Sequence, residues 1–406
     1  MILNIKQRIE DFFNDKNLSK VLLLPPDSTR LYSGAGVITK ILYDLLAKKG
    51  VQVHILPALG THSPMSRKQI LDFFGDIPIE CFSVHDWRND VSEIGIIPAE
   101  FINRISDGQI NKDVPVEINN LLLDSSYDLI LSIGQVVPHE VVGMANYSKN
   151  VLVGCGGSRF INFSHMLGAI YGIEKILGEI DTPVRKVFDY AQANFLNKLP
   201  LEYILTVTKT INGKTSINGL FAGGGRESFL KACILSQKLN ITYVKKPIKK
   251  CIVFLDEDEF HSTWLGNKAV YRTRKAIADG GELIILAPGV KMFGEDPEIN
   301  RLIEKYGYVG RNRILELCKT EADLQNNLSA AAHLIHGSSD NRFKIIYAAP
   351  LIGKERITAV GYDYINYSEI LSKYNLNLLH EGFNAMQDGE EFYFIKNPAL
   401  GLWDFK

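Results

Sequence analysis

Six side chains in the first 165 residues have the types and spacing of a reaction centre. His139, Lys149 and His165 lie in one stretch, GQVVPHEVVGMANYSKNVLVGCGGSRFINFSH, separated by ten and then sixteen residues. Imidazole titrates close enough to neutral pH to take or give a proton, and a deprotonated lysine amine is a nucleophile. His62 sits in a glycine-containing loop, ALGTHSPMS, and PPDSTR places Asp27 and Arg30 in a turn. Taken singly, each has an ordinary reading. His62 and His139 are then loop histidines, Lys149 a surface lysine, Asp27 a turn cap, and His165, between Phe163 and Met166, a satisfied core histidine. No metalloprotease, P-loop or nucleophile-elbow signature accounts for the set.

The elements around these residues supply a common rim. KVLLL (Lys20 to Leu24) reads as a buried strand stopped by Pro25-Pro26, and VITKILYDLLAKKG as a helix closed by Gly50. VQVHILPAL (Val51 to Leu59) reads as the next strand, RKQILDFF as a helix, and YDLILSIG and NVLVGCGG as further strands. Strands alternating with helices predict an α/β fold with largely parallel sheets. Ligands in such sheets sit beyond the carboxyl ends of the strands, and Asp27 to Arg30, His62 and Gln135 to His139 all follow a predicted strand. A second α/β domain is predicted after VKKPIKK. CIVFLDEDEF begins a strand, a helix covers AVYRTRKAIADGG, and ELIILAPG is a strand. The expected division is a cofactor-binding domain over 1–246, a C-terminal α/β domain over 247–392, and a tail over 393–406 that packs back on the first. The cleft between the two domains is the expected active site.

Composition narrows the class. With 46% apolar and 22% charged residues, the 406-residue chain is an ordinary globular protein, which excludes disorder and coiled coil. A formal net charge of −1 gives no electrostatic footprint for nucleic acid or an anionic membrane. No apolar run reaches the ~18 residues of a spanning helix, and the charged N-terminus is not a secretory signal. Five scattered cysteines without a C-x-x-C pair suggest reduced core residues and a cytoplasmic location.

The residues together resemble the lactate racemase family, nickel-pincer enzymes that racemise or epimerise 2-hydroxy acids. D-S-T-R, the A-x-G-x-H loop, P-H with a lysine ten residues on and a histidine sixteen later, GLFAGGGRESFLKA and the helix VYRTRKAI carry the resemblance. It implies a nickel-pincer nucleotide, a pyridinium-derived mononucleotide joined to Lys149 through a thioamide. His165 is then the protein ligand to nickel, in a donor set of imidazole and soft sulfur that suits Ni(II). His62 and His139 are the two acid/base residues. Arg30 and Lys275 neutralise the substrate carboxylate or the cofactor phosphate, Asp27 orients one of them, and Arg272 adds a bidentate donor. Cofactor-maturation enzymes are the implied protein partners.

The chain departs from the family pattern where Asn146-Tyr147-Ser148 replaces Gly-Gly-Arg, where Arg272 replaces a glutamine, and at Ser158 and Arg159. These changes leave the metal and acid/base groups intact and alter the pocket, so lactate is one candidate substrate among several. Two other readings use the same residues. One is a zinc-dependent hydrolase or lyase with His62, His139 and His165 as ligands. The other is a non-catalytic homologue that has lost the cofactor.

Overall fold

The computed structural model describes residues 2–13, 16–211 and 214–405. They form two compact units, one of residues 1–167 with 178–240 and one of residues 168–177 with 241–406.

The first unit is built on a five-stranded sheet. Its strands are β1 (Lys20–Leu24), β2 (Gln52–Ile55), β3 (Leu129–Gln135), β4 (Leu201–Ile211) and β5 (Lys214–Gly223), in the order β2-β1-β3-β4-β5. The first four run parallel, and β5 closes the sheet as an antiparallel hairpin with β4. KVLLL and LILSI lack polar alternation because both faces of β1 and β3 are covered. Helix α1 (Ile2–Phe13) buries Ile5, Ile9 and Phe13, and α2 (Ala35–Lys48) buries Ile38, Leu42 and Leu46. Both faces meet Val21, Leu23, Val53, Leu129 and Leu131 in one core. Helix α3 (Arg67–Phe74) starts on a capping box between Ser66 and Gln69.

The second unit holds a six-stranded sheet of β6 (Ile248–Phe254), β7 (Ile277–Leu286), β8 (Lys344–Ala348), β9 (Asp363–Tyr364), β10 (Gly382–Ala385) and β11 (Glu391–Ile395). The order is β9-β8-β7-β6-β11-β10, parallel except for the β10–β11 hairpin. Ile252, Ile284, Leu286, Phe392 and Phe394 form its core. Both units are therefore α/β with largely parallel sheets, as expected. Among the described residues no helix is long and apolar enough to cross a membrane.

Four expectations need correction. NVLVGCGG is not a strand. Ser148–Leu152 forms a short helix whose end turns back through Val153 N–H to Lys149 O and Cys155 N–H to Val151 O. Asn150 explains the choice, since its side chain donates to Leu24 O and Ser132 Oγ and ties the segment to β1 and β3. The predicted helix over AVYRTRKAIADGG stops at Thr273. Ile277 pairs with Ile248, and the chain runs on through an irregular register into β7, with Gly280 at φ +75°. The second unit takes up at Ile241 instead of residue 247 and includes residues 168–177, whose Ile173 and Leu177 share a core with Tyr271 and Leu402. Residues 393–406 are part of the second unit. Glu391–Ile395 lies in its sheet, and Leu402–Asp404 pairs in parallel with Ile241–Tyr243.

Candidate functional site

Asp27 with Arg30, His62 and His139 follow the carboxyl ends of β1, β2 and β3, while Lys149 and His165 come from two helices and their charges act on the same group of residues. Asp27 follows β1, caps the short helix Ser28–Ser33, and accepts from Thr29 N–H at 3.1 Å. His62 follows β2, and its Nδ1 stands 2.6 Å from Asp27 Oδ2. Asp27 is buried while the His62 side chain is 43% exposed, so the pair presents an oriented imidazole to the rim. Burial alone raises the Asp27 carboxyl. The hydrogen bonds of His62 and Thr29, with the charges of His62 and Arg30, outweigh it and hold its pKa below the ordinary carboxylate value. The Arg30 guanidinium makes no hydrogen bond or ion pair among the described residues, and its charge reaches both His139 and Lys149.

His139 follows β3 on a two-residue strand, Pro138–His139, paired with Gly143–Met144. The ring is buried, and its Nδ1 accepts the Val141 backbone N–H at 3.1 Å. Burial drives its pKa well below the usual histidine value. Lys149, Arg30 and His165 add to the effect against the opposing Glu140 carboxylate, whose Oε2 is 3.7 Å from Nδ1.

Lys149 occupies the first turn of the helix Ser148–Leu152 and is half-buried. Burial, and then the charges of Arg30 and Arg185, lower its pKa to about 8, so its amine is neutral in a sizeable fraction near physiological pH. The backbone leading to it is strained, with Asn146 at φ +65° and Tyr147 at φ +58°. These are conformations that glycine adopts most readily. Here side-chain contacts substitute. Asn146 Oδ1 accepts Tyr147 N–H, and the Tyr147 ring stacks on Phe229 at 5.1 Å and packs against Tyr203 at 4.4 Å. A side chain at Gly134, one residue before the end of β3, would meet Asn146 Nδ2 at 2.0 Å, so Asn146 can lie over the strand only where that position is glycine.

Arg185 locks the turn from the helix Pro183–Asn194. Fully buried, it donates to Met144 O, Asn146 O and Ser148 Oγ, and its guanidinium lies 4.4 Å over the Phe229 ring. Neither Arg185 nor Glu140 was among the residues the sequence singled out. Glu140 is next to His139 and could have been noticed, whereas Arg185 carries no motif.

His165 lies on the helix Ser158–Tyr171, and its Nδ1 stands 2.7 Å from Ile161 O. A carbonyl only accepts, so Nδ1 carries the hydrogen and Nε2 keeps its lone pair. Metal-ligating histidines are oriented by this kind of bond. Burial, then Lys149, lowers its pKa to about 4, which keeps the ring neutral as a ligand must be. Lys149 and His165 thus fit a covalently held, nickel-bearing group in their chemistry. Among the described residues no three His, Cys, Asp or Glu side chains group to hold a metal, which leaves a three-histidine zinc site without a cluster.

The two remaining site expectations fall in the second unit, and there both side chains are engaged structurally. Arg272 is buried and donates from Nη1 to Gly401 O at 2.8 Å. Lys275 Nζ pairs with the buried Asp404 at 2.9 Å. Neither presents a free cation for a substrate carboxylate. Cys155 is fully buried, and burial pushes its thiol up, so it is no nucleophile.

The first unit, a mainly parallel α/β fold, gathers imidazole, amine, guanidinium and carboxylate groups near the carboxyl ends of its strands, where ligands sit in sheets of this kind. Residues 4–175, somewhat less than half of the chain, match the lactate racemase N-terminal domain. A crystal structure of a protein from Thermotoga maritima is 25% identical, with a TM-score of 0.87, covering 100% of this chain and 98% of that one. The lactate racemase apoprotein from Thermoanaerobacterium thermosaccharolyticum is 19% identical and superposes with a TM-score of 0.73, covering 98% of this chain and 92% of that one. At that identity the second likeness speaks for the fold alone. No curated protein sequence matches the chain.

Proposed function

We propose that the chain is a racemase or epimerase of a 2-hydroxy acid working with a nickel-pincer nucleotide. The observation that carries the reading is the gathering of Lys149, His165, His139, His62, Asp27 and Arg30, related by the Asp27–His62 hydrogen bond and by mutual charge effects. Lys149, with its depressed pKa, would hold the cofactor covalently, and His165 Nε2 would ligate the nickel. That group, when bound, supplies the acceptor for the C2 hydride, so the substrate passes through a 2-keto acid.

The chain's own residues bind and move protons. Arg30 takes the substrate carboxylate or the cofactor phosphate. Asp27 fixes the His62 ring so that Nε2 faces outward as the base for the substrate hydroxyl. His139 faces the same oxygen from the β3 side. The half-buried rim keeps Lys149 and His139 from bulk water, which strengthens each of these interactions. Asn146-Tyr147-Ser148, in place of the Gly-Gly-Arg of the family pattern, changes the approach to Lys149 and favours a substrate other than lactate itself. Maturation enzymes are the expected partners, and the cytoplasm the expected location.

The test is production of the protein together with cofactor-maturation enzymes, followed by intact mass and metal analysis. The reading expects a mass adduct at Lys149, nickel in the protein, and inversion of at least one chiral 2-hydroxy acid. Zinc without an adduct, or an unmodified chain, would overturn it.

A further inference from the structure

The turn before Lys149 holds a buried carboxamide whose donors have no acceptor. Asn146 is only 7% exposed, and its Oδ1 accepts the Tyr147 backbone N–H at 2.7 Å. A backbone N–H only donates, so the atom facing it is the oxygen, and the two hydrogens of Nδ2 are left over. Nδ2 lies against the open face of Gly134, where a Cβ would come within 2.0 Å of it. Among the described residues it makes no hydrogen bond. A buried donor left unpaired is unfavourable. So is the backbone that carries it, with Asn146 at φ +65° and Tyr147 at φ +58°, held in that shape by the Arg185 guanidinium donating to Asn146 O. Strain and an orphaned donor at one residue mark a group set in place for a ligand.

The position of the carboxamide points to the ligand. The strand order β2-β1-β3 reverses between β1 and β3, and ligands of parallel sheets sit at such a switch, beyond the strand ends. Gly134 is next to last in β3. Asn150 crosses the same gap, donating to Leu24 O at the end of β1 and to Ser132 Oγ in β3. Arg30 follows β1, and its charge is felt at Lys149, three residues beyond Asn146. Nδ2 offers hydrogens and no lone pair, so its partner is an acceptor, and a carboxylate has more lone pairs than one guanidinium fills. Arg272 and Lys275 are claimed by Gly401 O and Asp404. We infer that Asn146 is a substrate-contact residue whose Nδ2 donates to the carboxylate of the 2-hydroxy acid, beside the Arg30 guanidinium. This rests on the function proposed above and gives the carboxylate its second partner.

Asn146→Gly and Asn146→Asp separate this contact from a purely structural role. Glycine suits the positive φ and removes the donor. Aspartate keeps the shape and an acceptor for Tyr147 N–H, and sets a carboxylate oxygen where the donors were. Holo-protein carrying the Lys149 adduct is assayed with the 2-hydroxy acid that wild type inverts best, and titrated by calorimetry with oxalate, a planar dianion. In Asn146→Gly, KM and the oxalate Kd should rise roughly 10–100-fold, with kcat little changed and Tm not below wild type. Asn146→Asp should bind more weakly still, because like charges then face each other. A lower Tm in Asn146→Gly with KM and oxalate affinity unchanged would overturn the inference. A lower adduct yield in Asn146→Asp with unchanged KM would overturn it too, by assigning the donor to the cofactor phosphate. Adduct-bearing wild type that inverts no acid, yet loses oxalate affinity in both variants, would overturn the racemase reading and support the carboxylate contact. Wild type that neither inverts an acid nor binds oxalate would overturn both.

Discussion

Lys149 should titrate as no exposed lysine does. With a pKa of about 8 the neutral amine makes up about 24% of the side chain at pH 7.5, against about 0.1% for a lysine at the ordinary value near 10.4. Three causes act in the same direction: burial first, then the Arg30 guanidinium, and then that of Arg185. Arg30→Leu removes the second and leaves the other two, so the midpoint rises without reaching the ordinary value. A tenfold change in the proton equilibrium would cut the neutral fraction at pH 7.5 to about 3%. The assay is competitive acetylation of the apoprotein over a pH series, with the Lys149 peptide quantified by mass spectrometry beside that of Lys68, whose side chain is 83% exposed. The midpoint, not the absolute rate, is the readout, because partial burial slows access. A wild-type midpoint near 10, or one unmoved in Arg30→Leu, would refute the electrostatic argument. The same shift links to stability. Between about pH 8 and the unfolded value the unfolded chain binds the extra proton, so the folded state gains stability as pH rises through that window.

Three further outcomes follow from the geometry. His165→Ala should lose nickel while the Lys149 mass adduct persists, and equal nickel-to-protein ratios in variant and wild type would remove His165 as the ligand. Asp27→Asn should slow inversion by roughly 10²–10⁴-fold by releasing the His62 ring. Because the Asp27 pKa is depressed in the folded state, its stabilising contribution is present above the unfolded value of about 3.9 and is lost as pH falls through the lower native value. Acid unfolding should therefore be less steep in Asp27→Asn. Arg185→Met should destabilise the first unit by roughly 1–3 kcal/mol, since it leaves the carbonyls of Met144 and Asn146 buried without their donor. Thermal unfolding would detect it, and an unchanged melting temperature would show that the turn before Lys149 does not depend on the clamp.

How far the sequence could be read depended on whether the deciding contact was local. KVLLL and YDLILSIG announce buried parallel strands because an unbroken apolar run with turn residues beyond it has few other uses. RKQILDFF announces a helix through its own cap. NVLVGCGG has the same apolar look, yet Asn150 reaches Leu24 O and Ser132 Oγ, contacts more than a hundred and about eighteen residues away in the chain, and the segment becomes helical. Asp27, Arg30, His62 and His139 were legible because each follows a strand end. Lys149 and His165 lie on helices and were singled out by their spacing from His139, which carried the resemblance. Arg185 was not legible, being a lone arginine in an amphipathic helix whose partners lie some forty residues upstream. Arg272 and Lys275 look like a polar helix face, but Gly401 O and Asp404 claim them, and neither partner is visible from the helix itself.

The claim that this chain inverts a 2-hydroxy acid is tested most directly by offering single enantiomers, deuterated at C2, to protein shown by intact mass to carry the Lys149 adduct. The account predicts that at least one acid in the series inverts with most of its label retained in H₂O, because the histidines handle only the oxygen-bound proton. Inversion with complete loss of deuterium would place the proton chemistry on carbon, and adduct-bearing protein that inverts none of the acids would contradict the function itself.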